Sequence, residues 1–234
     1  MIDTKRFAAK AAGCKVPVTE AQAALLDRYA ALLVEYNEKV NLTAITDAEG
    51  IEEKHFIDSL LLAAQPEVQG RLVDVGTGAG FPGVVAKIYC PGLQLTLLEP
   101  TGKRLDFLRW ACGQLGVEAE FLKERAEEAA RKQWRETFDT ATARAVARLD
   151  KLSEYCLPLV KVGGYFLAMK AESAAEELEE ARPAIQKLGG QVVELRRFSL
   201  PAGDERGIIV IKKISQTPTV YPRNGGKIAK SPLK

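Results

Sequence analysis

Three glycines at alternate positions, Gly76, Gly78 and Gly80, follow a short apolar run at residues 72–75 that carries one acid, Asp74. A helix can begin at Pro82, because a proline in the first turn forfeits no helical hydrogen bond. The pattern predicts a buried strand, a tight turn and a helix start. In open α/β sheets the crevice at such a strand end holds nucleotide-like ligands. Glycine allows positive φ and lets a ligand approach the backbone with no Cβ in the way. Asp74 is harder to explain as packing, since an acid in a buried strand needs a partner. Its place two residues before the turn puts it at the crevice mouth, able to accept hydrogen bonds from turn amides or a ligand's ammonium group. Glu99 ends the second predicted strand, 23 residues after Gly76. An acid there accepts hydrogen bonds from ribose hydroxyls. Phe81 is expected to pack against the ligand. Ala126 and Glu127 follow the third strand, within reach of an adenine edge. Arg144 ends the fourth, its cation facing the crevice or paired with Asp74 or Asp139.

Two nucleoside ligands compete for this turn. Residues Gly78-Ala79-Gly80-Phe81-Pro82-Gly83 match the nicotinamide fingerprint GxGxxG. That match starts two residues late, because the strand ends at Val75. Read from Gly76, the pattern is Asp-x-Gly-x-Gly-x-Gly, which resembles motif I of S-adenosylmethionine (SAM) methyltransferases. Glu99 does not choose between them, because both ligands carry a ribose.

The elements around the turn follow from periodicity. Residues 1–66 read as helical: Asp3 caps a helix ending near Gly13, Thr19-x-x-Gln22 is a capping box, and Leu25, Leu26, Tyr29, Leu32, Leu33 and Tyr36 recur at helical spacing. A third helix is predicted over 47–64. On it His55, Asp58 and Ser59 share a face, either as a polar patch for a ligand or RNA or as a pair at a helix–domain junction. From Arg71 strands alternate with helices, which predicts a parallel sheet. Strands are expected at 72–75, 94–98, 117–122, 138–143 and 165–170, with helices at 82–90, 103–115, 124–134, 149–160 and 174–188. Two last strands, 191–198 and 207–214, have no helix between them and predict a terminal antiparallel hairpin. The division is therefore a helical extension at 1–66, a ligand-binding α/β domain at 67–214 and a tail at 215–234. From Ile211 to Lys234 there are six Lys or Arg and no acid. Such a basic segment, with Tyr221, Arg223 and Lys227, is expected to contact RNA phosphates.

The chain has 234 residues, 47% of them apolar and 27% charged, with a net charge of +2, enough for a core of normal size. Four cysteines without CxxC spacing and a single histidine argue against zinc and a disulfide framework. There is no signal-peptide h-region and no apolar run of membrane-spanning length. A cytoplasmic protein is expected, and nothing calls for a dimer.

Further stretches carry a resemblance over most of the chain: Asn41-Leu42-Thr43-Ala44-Ile45, His55-Phe56-Ile57-Asp58-Ser59-Leu60, residues 74–83, Arg125-Ala126-Glu127, Arg144-Ala145-Val146-Ala147, Gly163-Gly164, Tyr221-Pro222-Arg223 and Pro232-Leu233. Together they resemble the RsmG/GidB family. That resemblance implies a Rossmann-like class I SAM methyltransferase: α/β, with a seven-stranded, mostly parallel sheet and a terminal antiparallel hairpin. It implies methylation of N7 of guanine 527 in the 530 loop of 16S ribosomal RNA, with S-adenosyl-L-methionine as cofactor and free 16S rRNA or the 30S subunit as partner. Gly76, Phe81, Ala126, Glu127 and Arg144 would then contact SAM, joined by Asp74, Gly78 and Glu99 from the motif reading. His55, Asp58, Lys103 and Arg104 are candidates for holding the target nucleotide or its phosphates. No catalytic base is expected, and Arg144 is the one candidate for positioning. The competing functions are a nicotinamide-dependent oxidoreductase and a non-catalytic RNA-binding module of ribosome assembly.

Overall fold

The computed structural model describes residues 1–233. The chain begins with α1 (Thr4–Gly13) and α2 (Glu20–Asn37). Asp3 caps α1 by accepting from Lys5 N and Arg6 N, and the Thr19–Gln22 capping box opens α2, as the sequence predicts. The third predicted helix differs. It is α3 (Ala48–Gly50), a π-helical segment (Ile51–Ile57) and α4 (Asp58–Ala63) in succession. Within the π-helical segment only Lys54 is exposed. Its acids are held from two sides: Arg6 reaches Glu52 at 2.8 Å, Lys10 reaches Glu53 at 2.9 Å, and Ala202 N donates to Glu53 at 2.9 Å.

Seven strands follow: β1 (Arg71–Val75), β2 (Gln94–Leu98), β3 (Glu120–Leu122), β4 (Phe138–Arg144), β5 (Val160–Lys170), β6 (Gly190–Ser199) and β7 (Glu205–Lys213). They form one sheet in the order β3-β2-β1-β4-β5-β7-β6. β1 to β5 are parallel, and β7 inserts antiparallel between β5 and β6. The expected terminal hairpin is thus present. The chain order reverses at β1, whose neighbours are β2 and β4, and that switch point is where an open α/β sheet leaves a crevice.

The crossovers are α5 (Gly83–Tyr89), α6 (Gly102–Leu115), α7 (Ala126–Ala129), α8 (Leu149–Cys156) and α9 (Ala174–Lys187), and a last helix α10 (Gly225–Lys230) lies in the expected tail. The helix expected at 124–134 is only one turn long. Gly163-Gly164, just before the strand expected at 165–170, lies inside β5. The register against β4 jumps between Phe138 and Thr140, and a Cβ at Gly164 would sit against the Asp139 carbonyl oxygen. Glycine permits this close approach at a bulge.

Two apolar clusters cover the two faces of the sheet. One joins Phe7, Leu26, Tyr29 and Phe56 to Val84, Leu97 and Leu108, so the N-terminal helices share a core with the sheet. The other joins Val73, Phe138, Leu152 and Ile209 to Leu233. Tyr29 is fully buried, packs 6.0 Å from the Phe56 ring and 5.4 Å from the Phe81 ring, and donates its hydroxyl to the carbonyl of Ala79 in the glycine turn. Tyr29→Phe keeps the ring and removes that donor, leaving a carbonyl unpaired. We expect a loss of about 1 kcal/mol in urea unfolding, and an unchanged midpoint would count against a structural role for this bond.

Candidate functional site

All three alternate glycines have positive φ: 67° at Gly76, 60° at Gly78 and 94° at Gly80. Asp74 fixes the turn from below. Its Oδ2 accepts from Thr77 Oγ1 at 2.6 Å and from Gly83 N at 2.9 Å, and Oδ1 has no hydrogen-bond partner among the described residues. The carboxyl is fully buried, so it lies beneath the crevice and not at its mouth. The expected position was inferred from strand spacing, which does not say which face a side chain takes. Burial pushes the Asp74 carboxyl up to about 6, against the opposing pull of the Thr77 and Gly83 hydrogen bonds. Glu99 buttresses the turn from β2, accepting from Gly78 N at 3.1 Å and Thr101 N at 2.9 Å. A carboxylate has about four acceptor positions, so capacity remains for a ligand's hydroxyls.

Two clefts open at the C-terminal ends of β1 and β4. The first, about 510 Å³, is lined by Gly76, Glu99, Thr101, Arg104, Arg125, Ala126, Glu127, Lys151, Tyr155 and Ala229. The second, about 620 Å³, is lined by Lys54, His55, Asp58, Arg144, Arg148, Met169, Lys170 and Arg206. Residues 145–147 line both and form the ridge between them. Ala145 takes a positive φ of 56°, and the Val146 side chain closes over Gly76. This ridge had no role assigned from sequence. Glu127 is buried at 5% exposure and makes no hydrogen bond or ion pair with the described residues. Buried carboxylates are ordinarily paired, so it is the free acceptor of the first cleft.

Gly76, Glu99, Ala126 and Glu127 therefore line the first cleft, with Gly78 beside it through its N–H bond to Glu99 and Asp74 underneath. Phe81 does not join them. Its ring turns toward the N-terminal helices, 4.4 Å from His55 and stacked on it, with the Arg144 guanidinium 5.2 Å from its centre. Arg144 lines the second cleft and pairs with neither Asp74 nor Asp139. Its Nη1 donates to Asp58 Oδ2 and to the Lys54 carbonyl, each at 2.8 Å, while Arg206 holds the other Asp58 oxygen at 3.3 Å. Nη2 lies 3.4 Å from His55 Nδ1. Arginine only donates, so Nδ1 accepts and the imidazole proton sits on Nε2, facing Thr43 Oγ1 at 3.0 Å.

Of the residues expected to meet RNA, His55 and Asp58 are buried and spend their polar atoms on these contacts. They meet Arg144 and not each other. Lys103 and Lys227 are exposed, and Arg104 lies on the first cleft, 3.7 Å from Glu99. The tail is not a free arm. Arg223 clamps the fully buried Glu154 with its Nε and Nη2. Arg135 donates to the carbonyls of Thr217 and Tyr221, and Tyr221 packs against the second apolar cluster. Buried Lys213 pairs with Glu136 at 2.9 Å and bonds Thr217. The basic composition suggested an arm for RNA phosphates; Lys213 and Arg223 instead serve internal acceptors, whereas Lys212, Lys227 and Lys230 are exposed. Among the described residues no metal-ligating cluster is present.

The model of the rRNA small subunit methyltransferase G family (GidB) matches residues 22–208. The chain is 47% identical over 229 residues to the ribosomal RNA small subunit methyltransferase G of Alkaliphilus oremlandii, covering 96% of each chain. It is 46% identical to that of Geobacillus sp. strain WCH70, covering 100% of each. Among solved structures it is similar to M. jannaschii TYW2 in complex with AdoMet, with a TM-score of 0.55 and 12% identity over 73% of this chain and 80% of that one. It is also similar to the precorrin-6y C5,15-methyltransferase of Geobacter metallireducens, with a TM-score of 0.52 and 15% identity over 72% and 90%. At these identities the structural likeness shows the fold.

His55 is the one histidine in the chain, so its titration is directly readable. Burial, and then the neighbouring Arg144 charge, lower it from 6.5 to about 4. The neutral ring contributes stability that is complete above pH 6.5 and lost as pH falls toward about 4. The imidazole proton resonances should titrate near 4, and a midpoint near 6.5 would show that the ring is not held as described.

Proposed function

The chain belongs to the rRNA small subunit methyltransferase G (GidB) family, and we propose that it methylates N7 of guanine 527 in the 530 loop of 16S ribosomal RNA. As a member it is a SAM-dependent ribosomal RNA methyltransferase. The proposed part is the base, the atom, and 16S rRNA or the 30S subunit as the substrate. No helix among the described residues is long and apolar enough to cross a membrane, and a cytoplasmic monomer is the setting we propose. The nicotinamide reading gives way to the family match. The glycine turn is intact and buttressed, which disfavours a non-catalytic module.

One observation carries the reading: two clefts share the ridge 145–147 at the sheet's switch point. The first fits a nucleoside cofactor. Its volume is within the range of about 300–1,000 Å³ for small-molecule sites. A Cβ at Gly78 would meet open space with only the Gly76 carbonyl oxygen 4.0 Å away, so the backbone is bare there. Glu99 keeps acceptor capacity for ribose hydroxyls, and Glu127 is an unpaired acceptor beside Ala126. Asp74 and Phe81 act on the cofactor indirectly, by fixing the turn. SAM, when bound, supplies an electrophilic sulfonium methyl.

The second cleft is suited to the acceptor nucleotide. Met169 and the ridge give it an apolar wall, and Lys54, Arg148 and Arg206 bring cations to it. Guanine N7 carries a free lone pair and needs no deprotonation. The side chains agree with such a reaction, because the only imidazole is neutral and fully engaged. All four thiols are raised by burial, Cys112 to about 12, so none is a ready thiolate for covalent carbon methylation. The chain's contribution is to hold two ligands in line across the ridge and keep water out. In this reading residues 67–214 supply most of the cofactor cleft, and residues 1–66 frame the acceptor side.

Transfer from labelled SAM to 30S subunits and to naked 16S rRNA, both lacking N7-methylguanine, should label one guanine in the 530 loop. Labelling elsewhere would overturn the base assignment. Gly78→Val fills the open space above the turn at a left-handed φ and should abolish SAM binding by calorimetry in a folded protein. Unaltered affinity would sink the placement of the cofactor.

A further inference from the structure

The C-terminal segment reaches the first cleft. Ala229, on the last helix, lines it together with Glu127 and Tyr155. Ala229 is exposed, so it is not there as core packing. Gly225 lies directly on the Glu127 carboxylate, where a Cβ would collide with Oε1. Several contacts hold the segment in this place. The Arg223 backbone N–H and side chain both donate to Glu154, at 2.8 and 2.7 Å, and Glu154 belongs to the same helix as Tyr155. Asn224 caps the helix by accepting from Lys227 N at 2.8 Å, and Ile228 is fully buried.

We propose that residues 223–230 form a wall of the cofactor cleft on its nucleoside side, with the Glu154–Arg223 pair as the fastening. Glu127 then has two duties. Its carboxylate accepts from the adenosine part of the cofactor, and it is kept in orientation by the Gly225 backbone pressed against it. A Cβ at 225 would push the Glu127 carboxylate out of this orientation. The one arginine of the tail is bound internally, and its exposed lysines, Lys227 and Lys230, are not needed for the wall. SAM loses contact area and Glu127 its orientation when the wall is displaced, while rRNA binding does not depend on it.

The inference rests on the assignment of this cleft to SAM, and Gly78→Val separates the two failures. If Gly78→Val leaves SAM affinity intact, the cleft assignment itself falls. With that variant inactive in binding, Ala229→Phe and Gly225→Ala test the wall. Each should raise the calorimetric Kd for SAM and for adenosine on the order of tenfold or more, with the melting temperature and the affinity for 16S rRNA at saturating SAM unchanged. The first variant narrows an exposed position and the second moves Glu127, so neither relies on breaking the core. Wild-type Kd for SAM in both folded variants overturns the proposal. So does weakened rRNA binding with SAM affinity unchanged, which would make the segment an RNA arm.

Discussion

The Arg144 guanidinium holds the helical layer and the sheet together at the place where both clefts open. It sits at the end of β4, one residue before the ridge that divides the clefts. From there it reaches the Lys54 carbonyl and Asp58 on the N-terminal helices and covers the Phe81 ring. Asp58 is buried and shared with Arg206, so each charge is neutralised inside a mostly enclosed network. A carboxylate left there without a cation would bear an uncompensated desolvation cost. The ridge, with its left-handed Ala145, is tied at its other end by Lys170, which donates to the Ala147 carbonyl at 2.6 Å.

The glycine turn is held in a similar way, from below by Asp74 and from the side by Tyr29. Burying a carboxylate under the turn is unfavourable, which is why Asp74 is pushed up to about 6. The arrangement persists because one oxygen joins the Thr77 hydroxyl to the Gly83 N–H, and so joins the turn to α5. Tyr29 adds a long-range tie from α2, fifty residues away in sequence. The N-terminal helices are therefore part of what shapes the cofactor loop, besides framing the acceptor side.

These constraints suit a reaction that needs geometry more than acid–base chemistry. The single imidazole is stacked on Phe81, bonded to Thr43 and faced by a guanidinium that opposes its protonation. The unpaired Glu127 carboxylate and the open space over Gly78 are features for binding. Positioning two ligands on either side of a rigid ridge is what such an inventory can do.

The sequence by itself determined the strand–turn–helix at residues 71–89, the caps at Asp3 and Thr19 and the terminal hairpin. Glycine conformations, capping and hydrophobic period are local properties, written within a few residues of where they act. It also singled out Gly76, Gly78, Glu99, Ala126 and Glu127, since strand ends can be read from those same patterns. Tyr29 left a weak signal, a hydroxyl in a mostly aliphatic stripe that also holds Tyr36. The tertiary structure alone decided that Asp74 lies beneath the turn, that Phe81 faces away from the cleft and that Arg144 pairs with Asp58, 86 residues distant. It alone turned the basic tail inward onto Glu154 and beside Glu127. Such pairings depend on which faces meet when the layers pack, and no periodicity along the chain encodes the partner of a charge brought close only by folding.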